Sequence, residues 1–359
     1  MNLAEWVNEF FNTVASKIMG TDMNYRAIFL LISRYIVLIG FSIGLNVQAI
    51  AQNKTLAYPS KPITMIVPFP PGGATDAIAR IVAQRLTVIL GQSVVVENHP
   101  GAGGVIGAGL AAHANSDGYT LLFTSSSTHS IAPSFTKKLP YDTQTDFTPI
   151  GGGVVSPALL TVTKTLPINT LKELIAYAKA HPGELNFASS GNGTVIQLNA
   201  EALKADAGIE MVHVPYKGSA LALPDLISGK VHLIFDVMIA SLQPVKDGKL
   251  TALGVGSMKR SPLLPNVPTI AEAGKDFGLG QFESSTWFGL FGPKNLSSDV
   301  VNILNSALNK AIVSPDVVER FAQLGAEPIP GTPEKFATMV AVERVRWSKL
   351  IKQAQITSE

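Results

Sequence analysis

The chain has no cysteine among its 359 residues, and only 15% of its residues are charged. The lack of cysteine excludes disulfides, thiolate metal sites and a cysteine nucleophile. The low charge, with a net value of only +2, argues against a nucleic-acid-binding surface. What the sequence does have is apolar residues, at 46%. A chain of this size can therefore bury the cores of two ordinary domains.

Common catalytic motifs are missing as well. The sequence has no G-x-S-x-G elbow, no H-E-x-x-H motif and no Walker A loop, and its six histidines lack the spacing of metal ligands. The loop 101–107 is glycine-rich, but its third glycine comes one residue late for a dinucleotide site. The following strand also ends in serines where an acidic residue should hold a ribose. We therefore expect no cofactor and no metal.

The first 51 residues contain a predicted signal peptide. After Met23, a short basic start precedes an apolar run over residues 27–47, and Ala49 and Ala51 match the small-residue pattern of a peptidase site. We expect secretion with cleavage near Ala51, and residues 1–22 form an atypical extension that leaves the start codon open between Met1 and Met23. The alternative is an uncleaved membrane anchor, because the apolar run approaches spanning length.

From residue 63 onward, short apolar strands alternate with amphipathic helices. This order predicts an α/β protein whose sheets are mostly parallel and covered by helices. A second series of strand and helix begins near residue 156, and the last helices have no strands of their own. The predicted organisation is a discontinuous first domain (52–155 and 254–359) and an inserted second domain (156–253). Strands near 158 and 252 form the predicted hinge.

Several helix boundaries can be predicted from capping residues. Thr170 followed by Glu173 forms a capping box at the start of one helix. Thr332 followed by Pro333 marks the start of the last helix. That helix has a predicted buried stripe of Phe336, Val340, Trp347 and Ile351.

The strand that ends at Val67 breaks into a rigid turn, and a helix starts at residues 74–76. The first N–H groups of a helix have no partners inside it, so they form an edge that can receive an anion. The same pattern recurs at 189–194, and two such edges that face each other make a clamp. The simpler interpretation is that the glycines only make a turn, with Asp76 paired to Arg80 one helical turn later.

Other polar residues at the ends of predicted strands have two interpretations. The serines after the strand at 119–124 are either loop residues or hydrogen-bond donors that line a cleft. Lys217 is either a surface lysine or the cation that orients an acid. Asp236 follows an apolar strand, where carboxylates seldom occur without a partner or a purpose. The predicted ligand-binding residues are Phe69, Pro71, Gly72, Gly73, Asp76, Ser125, Ser127, Ser189, Ser190, Gly191, Gly193, Thr194, Lys217 and Asp236.

A set of motifs in this order resembles the Bug-type solute-binding receptors of tripartite tricarboxylate transporters. The motifs are Tyr58-Pro59-x-x-Pro62-Ile63, Val67-Pro68-Phe69-x-Pro71-Gly72-Gly73-x-x-Asp76-x-x-Ala79-Arg80, Val96-Glu97-Asn98-x-Pro100-Gly101-Ala102-Gly103-Gly104, Phe187-x-Ser189-x-Gly191-x-Gly193-Thr194 and His213-Val214-Pro215-Tyr216-Lys217-Gly218. The resemblance covers residues 58–359. One departure is His99, which stands where an arginine is usual.

The resemblance implies a periplasmic, two-domain Venus-flytrap receptor of type II fold. It also implies a carboxylated ligand held by the two Gly-rich loops, with Asp236 as a ligand-facing acid, and membrane subunits as partners. We expect a non-enzymatic monomer that captures a dicarboxylate, tricarboxylate, amino acid or aromatic acid and closes around it. One alternative is a secreted α/β enzyme acting on a carboxylate, with Asp76 and Asp236 as acid and base. Another is an orphan sensor that signals to a different partner.

Overall fold

A computed structural model describes residues 2–19, 58–353 and 356. Its contacts divide the chain into two units, Met1–Ala57 and Tyr58–Glu359. In the first unit, helix α1 (Leu3–Met19) places the rings of Trp6 and Phe10 in a stack with centroids 5.5 Å apart. The predicted signal peptide from Met23 to Ala51 lies outside the described residues. Within the described ranges, no helix has both the length and the hydropathy needed to cross a bilayer.

The larger unit is built on a sheet with the strand order β2-β1-β3-β9-β4-β7-β5-β6, to which β8 and β10 add by pairing with β4. The strands are β1 (Ile63–Val67), β2 (Val94–Asn98), β3 (Thr120–Ser125), β4 (Phe147–Thr163), β5 (Asn186–Ser189), β6 (Val212–Pro215), β7 (Leu233–Val237), β8 (Leu250–Val255), β9 (Ser285–Pro293) and β10 (Glu327–Pro328). Their outer groups, β2-β1-β3 and β6-β5-β7, are parallel. We call the part of the protein around β2-β1-β3 the first half and the part around β6-β5-β7 the second half.

The long strand β4 joins the two halves. Its residues 147–157 pair with β9, and its residues 158–163 pair with β7 and β8, in every case antiparallel. The predicted parallel order therefore holds for the outer strands, whereas the strands at the junction are antiparallel. The chain runs along β4 from the first half into the second and returns along β9, so these two paired strands point in opposite directions.

Three backbone segments meet where the chain passes between the halves. The Gly256 N–H donates to the Ala158 carbonyl at 2.7 Å, the Ser284 N–H to the Gly256 carbonyl at 2.9 Å, and the Ala158 N–H to the Ser284 carbonyl at 3.0 Å. A β-carbon at Gly256 would lie 2.5 Å from the Ser284 carbonyl oxygen, so only glycine fits this junction. The predicted domain boundaries lie close by, within β4 and β8, and stay a prediction.

Helices cover both faces of the sheet. They are α2 (Ala74–Leu90), α3 (Val105–Ala112), α4 (Ala132–Phe135), α5 (Leu171–Ala180), α6 (Val195–Ala207), α7 (Ser219–Ser228), α8 (Met238–Lys246), α9 (Ile270–Ala273), α10 (Ser298–Ile312), α11 (Pro315–Leu324) and α12 (Pro333–Gln353). The capping box at Thr170 and Glu173 is confirmed, and α12 begins at Pro333 as predicted.

Helix α12 spans the two halves. Phe336 packs with Trp287 and other residues of the first half, whereas Trp347 and Ile351 pack in a cluster with residues of the second half. The predicted stripe is therefore confirmed, with Val340 only partly buried. The consequence is that one continuous element is anchored in both cores.

Candidate functional site

A small cavity lies between the halves, at the carboxyl ends of β1, β3, β5 and β7. Its volume is about 30 Å³, which is room for one or two water molecules. Its lining consists of Phe69, Pro70, Gly73, Ala74, Thr75, Ser125, Ser127, Ser190, Val195, Ile196, Gly218, Ser219, Asp236, Val237, Thr286 and Phe288. Only Asp236 among these residues carries an ionisable side chain, so the cavity has no cation of its own.

Four helices begin at this cavity. Helices α2, α6, α7 and α8 start directly after Gly73, Thr194, Gly218 and Val237, and none of these four residues caps its helix with its own side chain. The N-terminal end of each helix carries a partial positive charge and N–H groups without helical partners. Several helix dipoles that converge on one cavity favour an anion there, although no lysine or arginine lines it.

The halves touch each other around the cavity. The Val195 N–H of the second half donates to Ser127 Oγ of the first half at 3.2 Å. A β-carbon at Gly218 would lie 2.3 Å from Cγ of Pro70, and one at Gly103 would lie 2.4 Å from the Asn192 carbonyl oxygen. The loop 70–73 therefore meets the start of α7, the loop 189–194 meets Gly103, and the structure is a closed form. A dicarboxylate is larger than this cavity, so its access requires the halves to move apart.

The first loop, residues 70–73, turns sharply before α2. Gly72 has a φ of +83°, a conformation that favours glycine, and its N–H donates to Asp76 Oδ2 at 3.0 Å. Phe69 and Gly73 line the cavity, whereas Pro71 and Gly72 are exposed and do not. The loop thus presents its two ends to the cavity and its tip to solvent.

Asp76 lies behind this loop. Its carboxylate accepts hydrogen bonds from Arg80 Nε at 3.0 Å and from Asn98 Nδ2 at 2.9 Å, in addition to the Gly72 N–H. Burial alone would raise the pKa of Asp76, but the bonds from Arg80, Gly72 and Asn98 outweigh it and hold the pKa below its usual value. Asp76 does not line the cavity. The simpler sequence interpretation, a pairing with Arg80, describes these contacts, and a ligand contact stays a prediction.

The second loop, residues 189–194, is held by its own hydrogen bonds. The Gly191 N–H donates to Ser189 Oγ at 3.1 Å, and the Gly193 N–H donates to Gln197 Oε1 at 2.8 Å. Thr194 Oγ1 donates to the Gly191 carbonyl at 2.7 Å. Of the residues predicted in this loop, only Ser190 lines the cavity. Its glycine amides are therefore engaged within the protein in this closed form, and the adjoining start of α6 supplies the lining.

Ser189 is paired with a histidine that the sequence interpretation did not connect to it. Ser189 Oγ lies 2.6 Å from Nε2 of His213. Burial and the positive charge of Lys204 lower the pKa of His213 to about 4. A serine beside a neutral histidine can form a nucleophile, but the Ser189 side chain is completely buried and does not line the cavity. The pair instead fixes the start of the second loop.

Asp236 is the last residue but one of β7 and is completely buried. Its Oδ1 accepts the Val237 N–H at 2.7 Å, whereas its Oδ2 has no partner in the described part of the chain. Burial raises the pKa of Asp236 to about 7, against the opposing effects of the Val237 N–H and the nearby Ser219 hydroxyl. A buried carboxyl oxygen without a partner is rare and indicates an unmet interaction.

The structure brings together six of the fourteen predicted residues: Phe69, Gly73, Ser125, Ser127, Ser190 and Asp236. Lys217 is exposed and lies outside the lining, next to Gly218. Among the lining residues that were missed, Ser219 follows a glycine at a helix start, a signal present in the sequence. Thr286 had no signal, because it belongs to a strand far along the chain. Its buried Oγ1, like Asp236 Oδ2, has no partner within the described residues.

The fold and this inter-domain cavity are those of a two-domain periplasmic binding protein. A family model described as tripartite tricarboxylate transporter family receptor matches residues 78–356. The chain is 40% identical over 297 residues to protein BugT of Bordetella pertussis, which covers 82% of this chain and 90% of BugT. The chain thus belongs to the tripartite tricarboxylate transporter receptor family.

Solved structures agree with this assignment. Rpa4515 of R. palustris, solved with adipate, superposes with a TM-score of 0.81 at 37% identity, over 84% of this chain and 99% of Rpa4515. MatC of Rhodopseudomonas palustris, with bound malate, superposes with a TM-score of 0.76 at 33% identity, over 82% of this chain and all of MatC (100%). The resemblance and the Venus-flytrap fold expected from the sequence are therefore confirmed.

Proposed function

We propose that this protein is a periplasmic receptor that captures a small di- or tricarboxylate, amino acid or aromatic acid for a tripartite tricarboxylate-type transporter. The observation that carries the proposal is the cavity itself, where four uncapped helix starts surround one buried acid. The adipate and malate bound by the two solved relatives support a carboxylate ligand.

The helix starts supply the affinity in this proposal. A micromolar complex needs about 8 kcal/mol, and each hydrogen bond to a charged group contributes on the order of 1.5 to 3 kcal/mol. A few N–H groups and the hydroxyls of Ser125, Ser127 and Ser219 are sufficient. Because these donors are fixed dipoles and not mobile cations, the carboxylate is bound without burying an opposite charge.

Asp236 and Thr286 supply selectivity in this proposal. The free Oδ2 of Asp236 accepts a hydrogen bond from a hydroxyl or amine of the ligand, and Thr286 Oγ1 donates to its carboxylate. Ligand binding then satisfies two buried polar atoms that lack partners in the closed form. Closure around the ligand stabilises the state that membrane subunits recognise.

A thermal-shift screen of the purified protein against adipate, malate, citrate, glutamate and benzoate tests this function. We expect at least one of these acids to raise the melting temperature in a concentration-dependent way, with no product detected by NMR in the same samples. Product formation that disappears in Asp236→Asn would overturn the receptor function in favour of an enzyme. The absence of any stabilisation by carboxylates would contradict the ligand class.

A further inference from the structure

A second concavity shares no lining residue with the cleft cavity. It has a volume of about 780 Å³ and lies between the segment 133–144 and the C-terminal part of α12. We call it the basic groove and define it by Lys137, Leu139, Asp142, Arg344, Lys349 and Lys352. Its size lies within the range of ligand-binding clefts in general.

Four cations of the basic groove face a single acid. Lys137, Lys349 and Lys352 are exposed and Arg344 is half-buried, and within the described residues none of the four forms an ion pair. The acid, Asp142, accepts two backbone N–H groups of its own turn through Oδ1. The groove therefore carries a net positive charge in a concave surface, where the potential is focused.

Both walls of the groove are anchored in both halves of the protein. On one wall, Phe135 packs in the second-half cluster and Tyr141 in the first-half cluster. On the other wall, α12 carries Phe336 in the first-half cluster and Trp347 in the second. Whatever binds in the groove thus contacts elements that belong to both halves.

We infer that the basic groove binds an acidic segment of a partner protein. Unpaired cations in a concave surface complement carboxylates on an inserted segment, and such complementarity accelerates association and selects partners. The apolar contribution of Leu139 and Val345 to the lining suits the stems and apolar residues of a peptide. A flat anionic membrane would reach only the exposed rim. This site goes beyond carboxylate capture and does not depend on it.

Fluorescein-labelled octaglutamate, measured by fluorescence anisotropy with the full chain at low salt, tests the inference. The variant Lys137→Glu/Lys349→Glu/Lys352→Glu removes the groove cations. The control Lys172→Glu/Lys246→Glu/Lys310→Glu makes the same change of charge at exposed lysines elsewhere that also form no ion pair within the described residues. We expect the control to match the original chain and the groove variant to bind at least about ten-fold more weakly. Circular dichroism and melting temperature check that both variants fold.

Other results would overturn the inference. Equal loss in both variants would show an effect of net charge alone, and no binding of octaglutamate by either the original chain or a chain truncated after Gln353 would exclude an acidic segment. Binding to phosphatidylglycerol vesicles through the groove lysines, without binding of octaglutamate, would identify a membrane as the occupant. Binding that appears only after truncation behind Gln353 would identify the chain's own C-terminal residues.

Discussion

Two outer helices and the four helices at the cleft begin in different ways. Helices α5 and α10 start at exposed residues, and Thr170 and Ser297 cap them with their own side chains. The four helices that start at the cleft have buried starting positions and no side-chain cap. A side-chain cap stabilises a helix start by about 0.5 to 2 kcal/mol. The cleft helices forgo this local stabilisation. At α6 the Val195 N–H instead donates to Ser127 Oγ across the cleft, and at α8 the Val237 N–H donates to Asp236 Oδ1.

The same contrast separates the two buried aspartates. Asp76 has its carboxylate occupied by Gly72, Arg80 and Asn98, and its pKa is lowered. Asp236 keeps one oxygen without a partner in the described residues, and its pKa is raised. Asp76 lies in the first turn of α2, and Asp236 lies in β7 just before α8 begins. The protein environment therefore makes one a structural anion and leaves the other available at the cavity.

The largest expected effect comes from preventing closure. Gly218→Ala places a β-carbon 2.3 Å from Pro70 Cγ across the cleft, so we expect carboxylate affinity to fall about 100-fold, or about 2.7 kcal/mol, by calorimetry. The control is Gly208→Ala, which also has positive φ but no atom within 4 Å of the added carbon. It should lower stability and leave affinity unchanged. Equal affinities of the two variants would mean that the helix starts act without closure.

Replacement of the cavity acid tests whether the burial of Asp236 lowers the free energy of unfolding. Its folded-state pKa of about 7 lies above the usual 3.8, so the folded form keeps a proton that the unfolded form loses as pH rises from about 4 to 7. Stability therefore falls over that window. This difference of about 3 pKa units corresponds to at most about 4 kcal/mol, and the unbonded amide of a buried asparagine offsets part of it, so Asp236→Asn should raise the free energy of unfolding of the ligand-free protein at pH 8 by about 2 kcal/mol. In urea titrations most of this gain should vanish at pH 4; a gain independent of pH would contradict the buried-acid explanation.

Removal of one unpartnered hydroxyl separates binding from stability. Thr286→Val deletes an Oγ1 without a partner in the described chain, so we expect carboxylate affinity to fall about ten-fold with no loss of stability. The matched control is Thr163→Val, because that buried hydroxyl is bonded to Thr165. The control should lose about 1 kcal/mol of stability and keep its affinity. If Thr163→Val lowered the carboxylate affinity and Thr286→Val lowered only the stability, the ligand would have to bind elsewhere.

The smallest effect is expected at an outer helix start. Thr170→Ala removes the capping box of α5 and should lower the free energy of unfolding by about 1 kcal/mol in urea titrations. Carboxylate affinity should remain within a factor of about two. A larger change in affinity would show that outer and cleft helix starts are coupled, and the comparison would no longer hold.

Local sequence patterns predicted the helices and turns that surround the site better than they predicted which residues line it. The turn before α2 and the glycine-rich start of α6 were predictable, since glycine and proline act on the backbone within a few residues. The pairing of Asp76 with Arg80 was also visible as an i,i+4 spacing. Thr286 could not be found, because its place in the same cavity as Asp236 depends on β9 returning across the sheet.

The sequence by itself determined most strands and helices, the capping box of α5 and the family, because these depend on spacing and residue type over short stretches. It did not reveal α11 or the first part of β4, residues 147–157. Only the tertiary structure decided which helix starts meet, that the second loop uses its own amides, and that Asp236 and Thr286 share one cavity. Those outcomes depend on long-range pairing of β4 and β9 and on closure of the halves. They bring together residues that are distant along the chain, and no local sequence pattern shows which of these residues meet.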